Sequence, residues 1–407
     1  MRLVWSSLWV GAMLLLFTDV RAQAPDPVVV TVSAGDLDRH QTVVRFHLPD
    51  HWKAGHYRLQ EIEGGEGAPW LQLSNDGEAT FVLHQLEAGA RRTYRLSPGQ
   101  RVEPQTPGVP IRIEERTISL MKGGEDVLRY YHRENELPAG LDPMYRRAGY
   151  IHPVYSPSGV QLTNHLNEAQ HPHHYGIWSA WTSTEFQGRT PDFWNPHNHS
   201  GRVVAEDSLQ VAWEGEVHAG FRSRHFFEDL SAEVPVIALN ESWEVTLYNT
   251  GDRAYHQFDL ELVQTVNTGQ PLALPEYRYG GVGFRGHPDW DDPANGRFLT
   301  SEGLGRDGHA TRARWVHIGG ESHGEQAGIA ILSHPENFRH PQTVRIHPDE
   351  AFFNYAPSQL GEFEIRSGEP YHARYRYITT DGEPDPEEIE RLWFDYAYPP
   401  GITVQPE

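Results

Sequence analysis

The sequence predicts an all-β protein in which a small β unit precedes a large β-sandwich. Runs of β-branched and aromatic residues, alternating or continuous, recur along the chain. The chain also holds 38 glycines and 30 prolines, which punctuate these runs as turns would. Only one helical pattern is evident, and it lies near the C-terminus. Many short strands separated by frequent turns are typical of a sandwich.

Seven segments have the pattern expected of strands. They are 28–32, 42–48, 80–86, 242–249, 258–266, 328–333 and 373–380. The one predicted helix lies near 386–397, because Asp385 can cap it and Pro386 suits its first position. Glu388 adds a box-like acid in the first turn, and the apolar residues that follow form one face.

The chain is predicted to contain a signal peptide and two β units. Residues 1–24 combine Arg2, an apolar run and small residues at Ala22 and Ala24, so we expect cleavage there and a periplasmic or secreted product. An uncleaved anchor is the alternative. A proline-rich stretch at 97–110 favours a small domain over 25–104 and a large sandwich domain over 110–400. No later apolar run could span a bilayer, so no membrane insertion is expected after cleavage.

Composition narrows the classes of function. The net charge of −22 disfavours nucleic acid and anionic lipid as partners. The absence of cysteine excludes a metal site built on thiolates. The 24 histidines, 12 tryptophans and 18 tyrosines suit a carbohydrate partner, whose rings have an apolar face and a hydroxyl rim. The same aromatic residues would equally suit the core of a β-rich protein.

Histidines with i, i+2 spacing raise the question of a metal. His171 and His173 have this spacing, as do His197 and His199, and it places side chains on one face of a strand. Pro172 and Pro196 indicate loops instead of regular strands. Imidazoles in loops can still bind a metal, so His171, His197 and His199 are the candidate ligands of a divalent metal. A calcium site on acidic residues also stays open. No nucleotide cofactor is expected, because the GGVGF stretch at 280–284 lacks the context of a dinucleotide fingerprint.

Candidate acid–base residues lie in three separate segments. His173 and His174 are adjacent, so on an extended backbone one would face a substrate while the other anchors the loop. Tyr277 is the candidate second proton carrier, and His334 is a further catalytic candidate that would also orient the substrate. The chain offers no cysteine nucleophile and no GxSxG elbow. No carboxylate pair stands out for hydrolysis.

Candidate substrate-binding residues are arginines, aromatics and one amide. Arg285 and Arg339 could hold a carboxylate, and Asn337 could orient a sugar. Trp178 and Trp194 could stack on sugar rings. Each has a structural alternative: an arginine can pair with one of the 56 acidic residues, and a tryptophan can cap the core.

Four motifs in order resemble a known family. RRAGYIHPVYSPSGVQLT, HPHHYGIWSAW, YGGVGFR and SHPENFRHPQ resemble the bacterial exported "PmoA-like" family of unknown function, over most of 110–395. Its label is borrowed from a membrane methane monooxygenase subunit, an activity that a chain without a spanning segment does not support. The resemblance implies a carbohydrate context. Residues 361–384 are similar to the last strands of mutarotase-like supersandwich proteins, which is an analogy of fold alone.

These observations predict an exported carbohydrate-active enzyme, either a glycoside hydrolase or a polysaccharide lyase, with histidine and tyrosine moving protons and arginines holding the substrate. In the lyase version an arginine stabilises the enolate of a uronate. The alternatives are a non-catalytic glycan-binding protein and a metal-dependent enzyme that uses the histidine-rich loops.

Overall fold

A computed structural model describes residues 26–62, 67–105, 107–167, 171–205, 207–251 and 254–407. The predicted signal peptide lies outside these residues. Within them the chain forms 27 β-strands and one α-helix, which confirms the all-β prediction. No helix in these ranges has both the length and the apolar character needed to cross a bilayer.

The first seven strands belong to a small β unit. They are β1 (Val28–Ser33), β2 (Arg39–His47), β3 (Gly55–Arg58), β4 (Gln60–Glu61), β5 (Trp70–Leu73), β6 (Glu78–Leu86) and β7 (Arg91–Leu96). Strands β2, β6, β5 and β3 form one antiparallel sheet, while β1, β7 and β4 lie in a second. The alternation of VVVTVS buries Val28, Val30 and Val32 against Phe81 in the core of this unit.

The remaining twenty strands follow in chain order. The first group is β8 (Ile111–Ile113), β9 (Thr117–Lys122), β10 (Glu125–Tyr131), β11 (Tyr150–Val154), β12 (Ile177–Ala180), β13 (Gly201–Val204), β14 (Leu209–Trp213), β15 (His218–Asp229), β16 (Val236–Tyr248) and β17 (Tyr255–Val266). The second group is β18 (Leu272–Leu274), β19 (Gly281–Arg285), β20 (Arg297–Thr300), β21 (Trp315–Ser322), β22 (Glu325–Ser333), β23 (Val344–Ile346), β24 (Phe352–Tyr355), β25 (Phe363–Ile365), β26 (Tyr371–Asp381) and β27 (Gly401–Pro406).

Two large antiparallel sheets enclose the main core. One has the order β23-β24-β19-β12-β11-β10-β9-β8, and the other runs β13-β15-β16-β17-β26-β22-β21-β20 with β14 beside β15. Ile177, Phe284 and Phe353 of the first sheet share one buried cluster with Phe258 and Ile329 of the second. Because side chains alternate along a strand, the neighbours of these residues in the first sheet point to its opposite, outer face.

All seven predicted strands are confirmed and, to within one residue, lie inside β1, β2, β6, β16, β17, β22 and β26. The predicted helix is also confirmed as α1 (Pro386–Ala397), with Asp385 accepting hydrogen bonds from the amides of Glu387 and Glu388. Its buried Asp395 accepts from Arg39 and from Thr42, both at 2.9 Å. Strand β27 then pairs with β1. The C-terminal end of the chain is thus bonded to the small β unit, and the predicted domain boundaries stay predictions.

Candidate functional site

The HPHH segment is a tight turn that leads into β12. The amide of His174 donates to the carbonyl of His171 at 3.1 Å, and the following residues enter the sheet. The expectation that His173 and His174 point in opposite directions is wrong, because the backbone is turned and not extended. Their ring centroids lie 4.8 Å apart. Both side chains line the same cavity.

This cavity of about 340 Å³ brings together histidines from three segments of the chain. It is lined by His171, His173, His174, Trp194, Asn195, His197, Arg278, Tyr279, Arg345, His347 and Phe352. It lies on the outer face of the eight-stranded sheet, where the turn before β12, the segment before β19 and the β23–β24 connection meet. We call it the histidine cavity.

Aromatic side chains support the histidine cavity from beneath. The buried His174 ring packs against both Trp178, at 5.1 Å, and Phe352, at 4.8 Å. Trp178 is 0 % exposed, so the expectation that it stacks on a sugar is corrected: it is part of the packing under His174. Trp194 is also buried, but it lines the cavity wall. A Cβ on Gly283 would lie 2.9 Å from Trp194 and 3.0 Å from Trp178, so glycine makes room for both rings.

A short polar loop carries Trp194, Asn195 and His197 to the cavity. Asp192 accepts hydrogen bonds from the backbone amides of Trp194 and Asn195, both at 2.9 Å. The ring of His197 lies 5.6 Å from that of His173. His199, in the left-handed conformation with φ 52°, lines a different cavity. Of the three predicted metal ligands, His171 and His197 are therefore brought together, and His199 is not.

Beneath His171 lies a buried ion-pair cluster that sequence reasoning missed. Nδ1 of His171 lies 2.9 Å from Oε1 of Glu350. The other oxygen of Glu350 accepts from Arg285 at 2.9 Å, and Arg285 also donates to Asp291 at 2.6 Å. Arg285 is fully buried, so the expectation that it holds a substrate is corrected: it fixes Glu350. Glu350 follows the HP pair at 347–348, a repeat of the HP signal at 171–172 that could have drawn attention to it.

Burial keeps three of the cavity histidines neutral, namely His173, His174 and His347. It lowers the pKa of His173 to about 3, with His171 and His197 adding to the effect. Burial also lowers the pKa of His174 well below its ordinary value, and lowers that of His347. Burial would raise the pKa of Glu350, but its contacts with His171 and Arg285 outweigh this and lower it. At neutral pH these three histidines therefore present neutral imidazoles, which can accept hydrogen bonds or protons or bind a metal, and the carboxylate of Glu350 is anionic.

Two arginines at the histidine cavity, Arg278 and Arg345, form no salt bridge with an acid among the described residues. No carboxylate oxygen of the described residues lies within 4.0 Å of the guanidinium of Arg278 or of Arg345. Arg345 donates to the carbonyl of Ile346 at 2.9 Å, while its buried Nε has no hydrogen-bond partner in the same ranges. Arg278 lies 5.5 Å from the centre of the Tyr279 ring. Both arginines were missed from sequence, although Arg278 lies inside the EYRYGG segment.

Tyr279, and not Tyr277, lines the cavity. The hydroxyl of Tyr279 accepts from the Asn195 side chain at 3.3 Å. Tyr277 packs on Tyr279 with centroids 5.1 Å apart, and its backbone bonds to Ser358. Burial raises the pKa of Tyr277, and Tyr279 adds to this. Tyr277, the predicted proton carrier, thus packs against Tyr279 and does not itself line the cavity.

The loop at 333–341, which contains the fourth sequence motif, makes its contacts away from the histidine cavity. His334 lines a separate cavity with Arg374 and Arg376 and packs on Tyr396. Asn337 is buried and donates to Ser333 and to the carbonyl of Arg374. Arg339 donates to the carbonyls of Pro357, Gly361 and Glu362 at 2.7 to 2.9 Å. The structure therefore brings none of His334, Asn337 and Arg339 to the histidine cavity.

The fold and cavity define an all-β protein with a polar cavity on the outer face of a two-sheet sandwich. Over residues 117–394 the chain matches a family of unknown function, DUF6807, and it belongs to this family. Membership in an uncharacterised family agrees with the resemblance found in the sequence, while the "PmoA-like" label stays a prediction. No relative among functionally described proteins matches the sequence.

Solved structures of carbohydrate-acting proteins show a weak likeness. An α-mannosidase from Enterococcus faecalis V583 is 9% identical with a TM-score of 0.44, over 93% of this chain and 46% of that one. A glycosyl hydrolase family 38 protein from Enterococcus faecalis is 8% identical, TM-score 0.40, over 93% and 47%. A galactose mutarotase related enzyme from Lactobacillus acidophilus is 10% identical, TM-score 0.27, over 68% and 97%. The chain spans about half the length of the first two. At these scores the likeness carries no argument about the site.

Proposed function

We propose that the protein is an exported enzyme that acts on a carboxylate-bearing saccharide in the histidine cavity. The observation that carries this proposal is the pair Arg278 and Arg345. These two arginines form no salt bridge with the described residues, and both line the same cavity. A guanidinium without an acidic partner at a cavity is suited to bind a carboxylate of the ligand. Export is proposed from the predicted signal peptide alone.

The remaining cavity groups suit a saccharide. Tyr279 offers an aromatic surface that the buried Trp194 and Phe352 support, and Asn195 and His197 offer hydrogen bonds to hydroxyl groups. The volume of about 340 Å³ falls within the range of small-molecule sites. A saccharide residue with one carboxylate would therefore find both its apolar face and its polar rim matched.

Of the two predicted reactions, elimination fits this cavity better than hydrolysis by paired carboxylates. The side chains that line the cavity, among those described, include neither aspartate nor glutamate, while such hydrolysis needs two acids. In elimination, a base removes the proton on the carbon next to the carboxylate. The C–O bond at the neighbouring carbon then breaks, a C=C bond forms, and the leaving oxygen takes a proton.

The cavity holds side chains for each part of this reaction. Arg278 and Arg345 would neutralise the carboxylate, whose negative charge grows as the enolate forms. His173 would accept the proton and Tyr279 would donate to the leaving oxygen, since both line the cavity. Tyr279 takes here the role that the sequence assigns to Tyr277.

The test compares uronate oligosaccharides with the same oligosaccharides after reduction of their carboxyl groups to alcohols. We expect the mature chain to cleave a uronate substrate and form an ultraviolet-absorbing unsaturated product, with no product from the reduced counterpart. Arg345→Gln should raise KM by roughly 10- to 100-fold, because a hydrogen bond between charged groups contributes about 1.5–3 kcal/mol. The matched control is Arg366→Gln, since Arg366 is 59% exposed and pairs with Glu364.

Two results would overturn the proposal. Equal turnover of the uronate and the reduced substrate would remove the role of the arginines. Tight binding of the uronate without any product, over the whole panel, would instead identify a glycan-binding protein, which is the alternative that the sequence left open.

A further inference from the structure

We infer that His171, His174 and Glu350 form a binding site for one divalent transition-metal ion. One potential ligand atom from each residue lies within 4.8 Å of the other two. Ligand atoms bound to one zinc ion at about 2.0–2.1 Å lie at most about 4.2 Å apart. Small rotations of the side chains would therefore bring all three onto one ion.

The polar atoms of this cluster favour an added ligand. Nδ1 of His174 is buried and has no hydrogen-bond partner among the described residues, which is costly unless something binds there. His171 and Glu350 already face each other at 2.9 Å. The second oxygen of Glu350 is fixed by Arg285 at 2.9 Å, as outer-shell groups commonly fix carboxylate ligands.

The charges and the donor types favour a cation of the zinc class. The buried Arg285 pairs with two carboxylates, those of the buried Glu350 and the partly exposed Asp291, so these three groups together keep one negative charge. Two imidazole nitrogens with one carboxylate oxygen suit zinc and similar transition metals. Calcium and magnesium prefer oxygen ligands alone. The calcium alternative is therefore not favoured at this position.

Three protein ligands leave the ion an open position. His171 and His174 line the histidine cavity, so this position would face the cavity and Arg345 across it. Such an arrangement is typical of catalytic zinc sites, whereas structural sites have four protein ligands. The ion would then hold the substrate carboxylate together with the arginines. That role rests on the proposed function, but metal binding itself does not.

A second cluster provides a comparison within the same chain. His287, Asp289 and His323 also place three potential ligand atoms within 4.8 Å of one another. Here Nδ1 of His287 already bonds to Ser322 at 2.9 Å and accepts from the amide of Asp289, and Asp289 and His323 are exposed. We expect the weaker binding at this second cluster.

The experiment measures zinc binding to the full mature chain, purified without a histidine tag and treated with a chelator. Calorimetric titration with Zn²⁺ should show one tight site per chain. Co²⁺ should give visible absorption bands of a site with nitrogen and oxygen ligands. Glu350→Gln and His171→Asn should weaken binding by more than about 100-fold, because loss of an outer-shell group alone costs about 10- to 100-fold. His323→Ala and His199→Ala are the matched controls and should keep the tight site.

The outcomes separate this inference from the proposed function. Loss of tight binding in Glu350→Gln and His171→Asn, with thermal unfolding near that of the starting protein, supports the site. The inference is overturned if the chelator-treated protein shows no tight zinc site, or if His323→Ala abolishes tight binding while Glu350→Gln and His171→Asn keep it. Tight zinc binding without uronate turnover would contradict the proposed function alone. Full turnover by metal-free protein would contradict a role of the ion in that reaction.

Discussion

The turn at 171–174 and the loop at 333–341 look alike in sequence but differ in how their polar groups are used. Both contain an HP pair and further histidines, and we predicted functional residues in both. In the loop, Asn337 and Arg339 satisfy their hydrogen bonds on the protein's own backbone. At the histidine cavity, Nδ1 of His174 and Nε of Arg345 are buried without a partner in the described part of the chain. In the loop, Nδ1 of His340 shares this condition, but it does not line the histidine cavity.

This difference separates a supporting loop from a candidate site. A polar side chain that is already bonded within the fold has little left to offer a ligand, and its loss is felt as instability. A polar side chain at a cavity without such bonds contributes little to stability in the free protein. The following variants should therefore divide into those that change stability and those that change binding.

The largest stability effect is expected under the cavity and not in its wall. Trp178→Ala should lower the free energy of unfolding by about 3–5 kcal/mol, because Trp178 is fully buried against His174 and Trp194. Trp178→Phe should cost less, since most of the volume is kept. Urea denaturation measures both. Unchanged stability together with a raised KM would return Trp178 to the role of a sugar-stacking residue.

Asn337→Ala should destabilise the protein by about 2–3 kcal/mol, since buried groups on Ser333 and Arg374 lose their partner. We expect kcat and KM for a uronate substrate to stay unchanged, because Asn337 makes its contacts away from the histidine cavity. The measurement combines urea denaturation with steady-state kinetics. A selective rise in KM at normal stability would show that the loop binds substrate after all.

Arg339→Met should have a smaller effect, about 1 kcal/mol. Its three hydrogen bonds to backbone carbonyls are lost, but the side chain is partly exposed and water can replace some of them. Arg366→Met, on an exposed arginine, is the control and should stay within about 0.5 kcal/mol. If the two variants were equally stable, the hydrogen bonds of Arg339 would not stabilise the loop.

The pH dependence of stability offers a further test in the same loop. Burial lowers the pKa of His340 to about 4, and the positive charges nearby add to this. Between roughly pH 6.5 and 4 the unfolded chain therefore binds a proton that the native protein does not, and the free energy of unfolding falls as the pH falls. His340→Gln should make this fall shallower. Urea midpoints at pH 7 and pH 5 measure it, and identical pH dependence in both proteins would contradict the assignment.

Much of the fold could be predicted from the sequence because it follows from local patterns. The alternation in β1 and the cap at Asp385 are each contained within a few residues, and both structures form as predicted. The conformation of the HPHH turn could not be predicted, since it depends on where β12 enters the sheet.

The site could be predicted only in part, for a physical reason. The histidines are visible as a cluster in the sequence. Whether an arginine is free to bind a ligand depends instead on acidic partners that are distant in the sequence. Arg285 lies in a glycine-rich motif and is bound to Glu350, 65 positions away. Arg345 lies in no conspicuous motif and faces the cavity. Tertiary contacts decide which guanidinium group is available to a ligand, and these contacts cannot be predicted from a local sequence pattern.

The most direct test of the account compares His173→Ala with His334→Ala on the same uronate substrate. His173 lines the histidine cavity, while His334 lines a separate cavity with Arg374 and Arg376. With both variants confirmed as folded by thermal unfolding, we expect His173→Ala to lower kcat by about 10²- to 10⁴-fold, as the loss of a proton-transferring group does. We expect His334→Ala to keep kcat near that of the starting protein. Retained turnover in His173→Ala, with loss of turnover in His334→Ala, would contradict the account and move the site to the loop at 333–341.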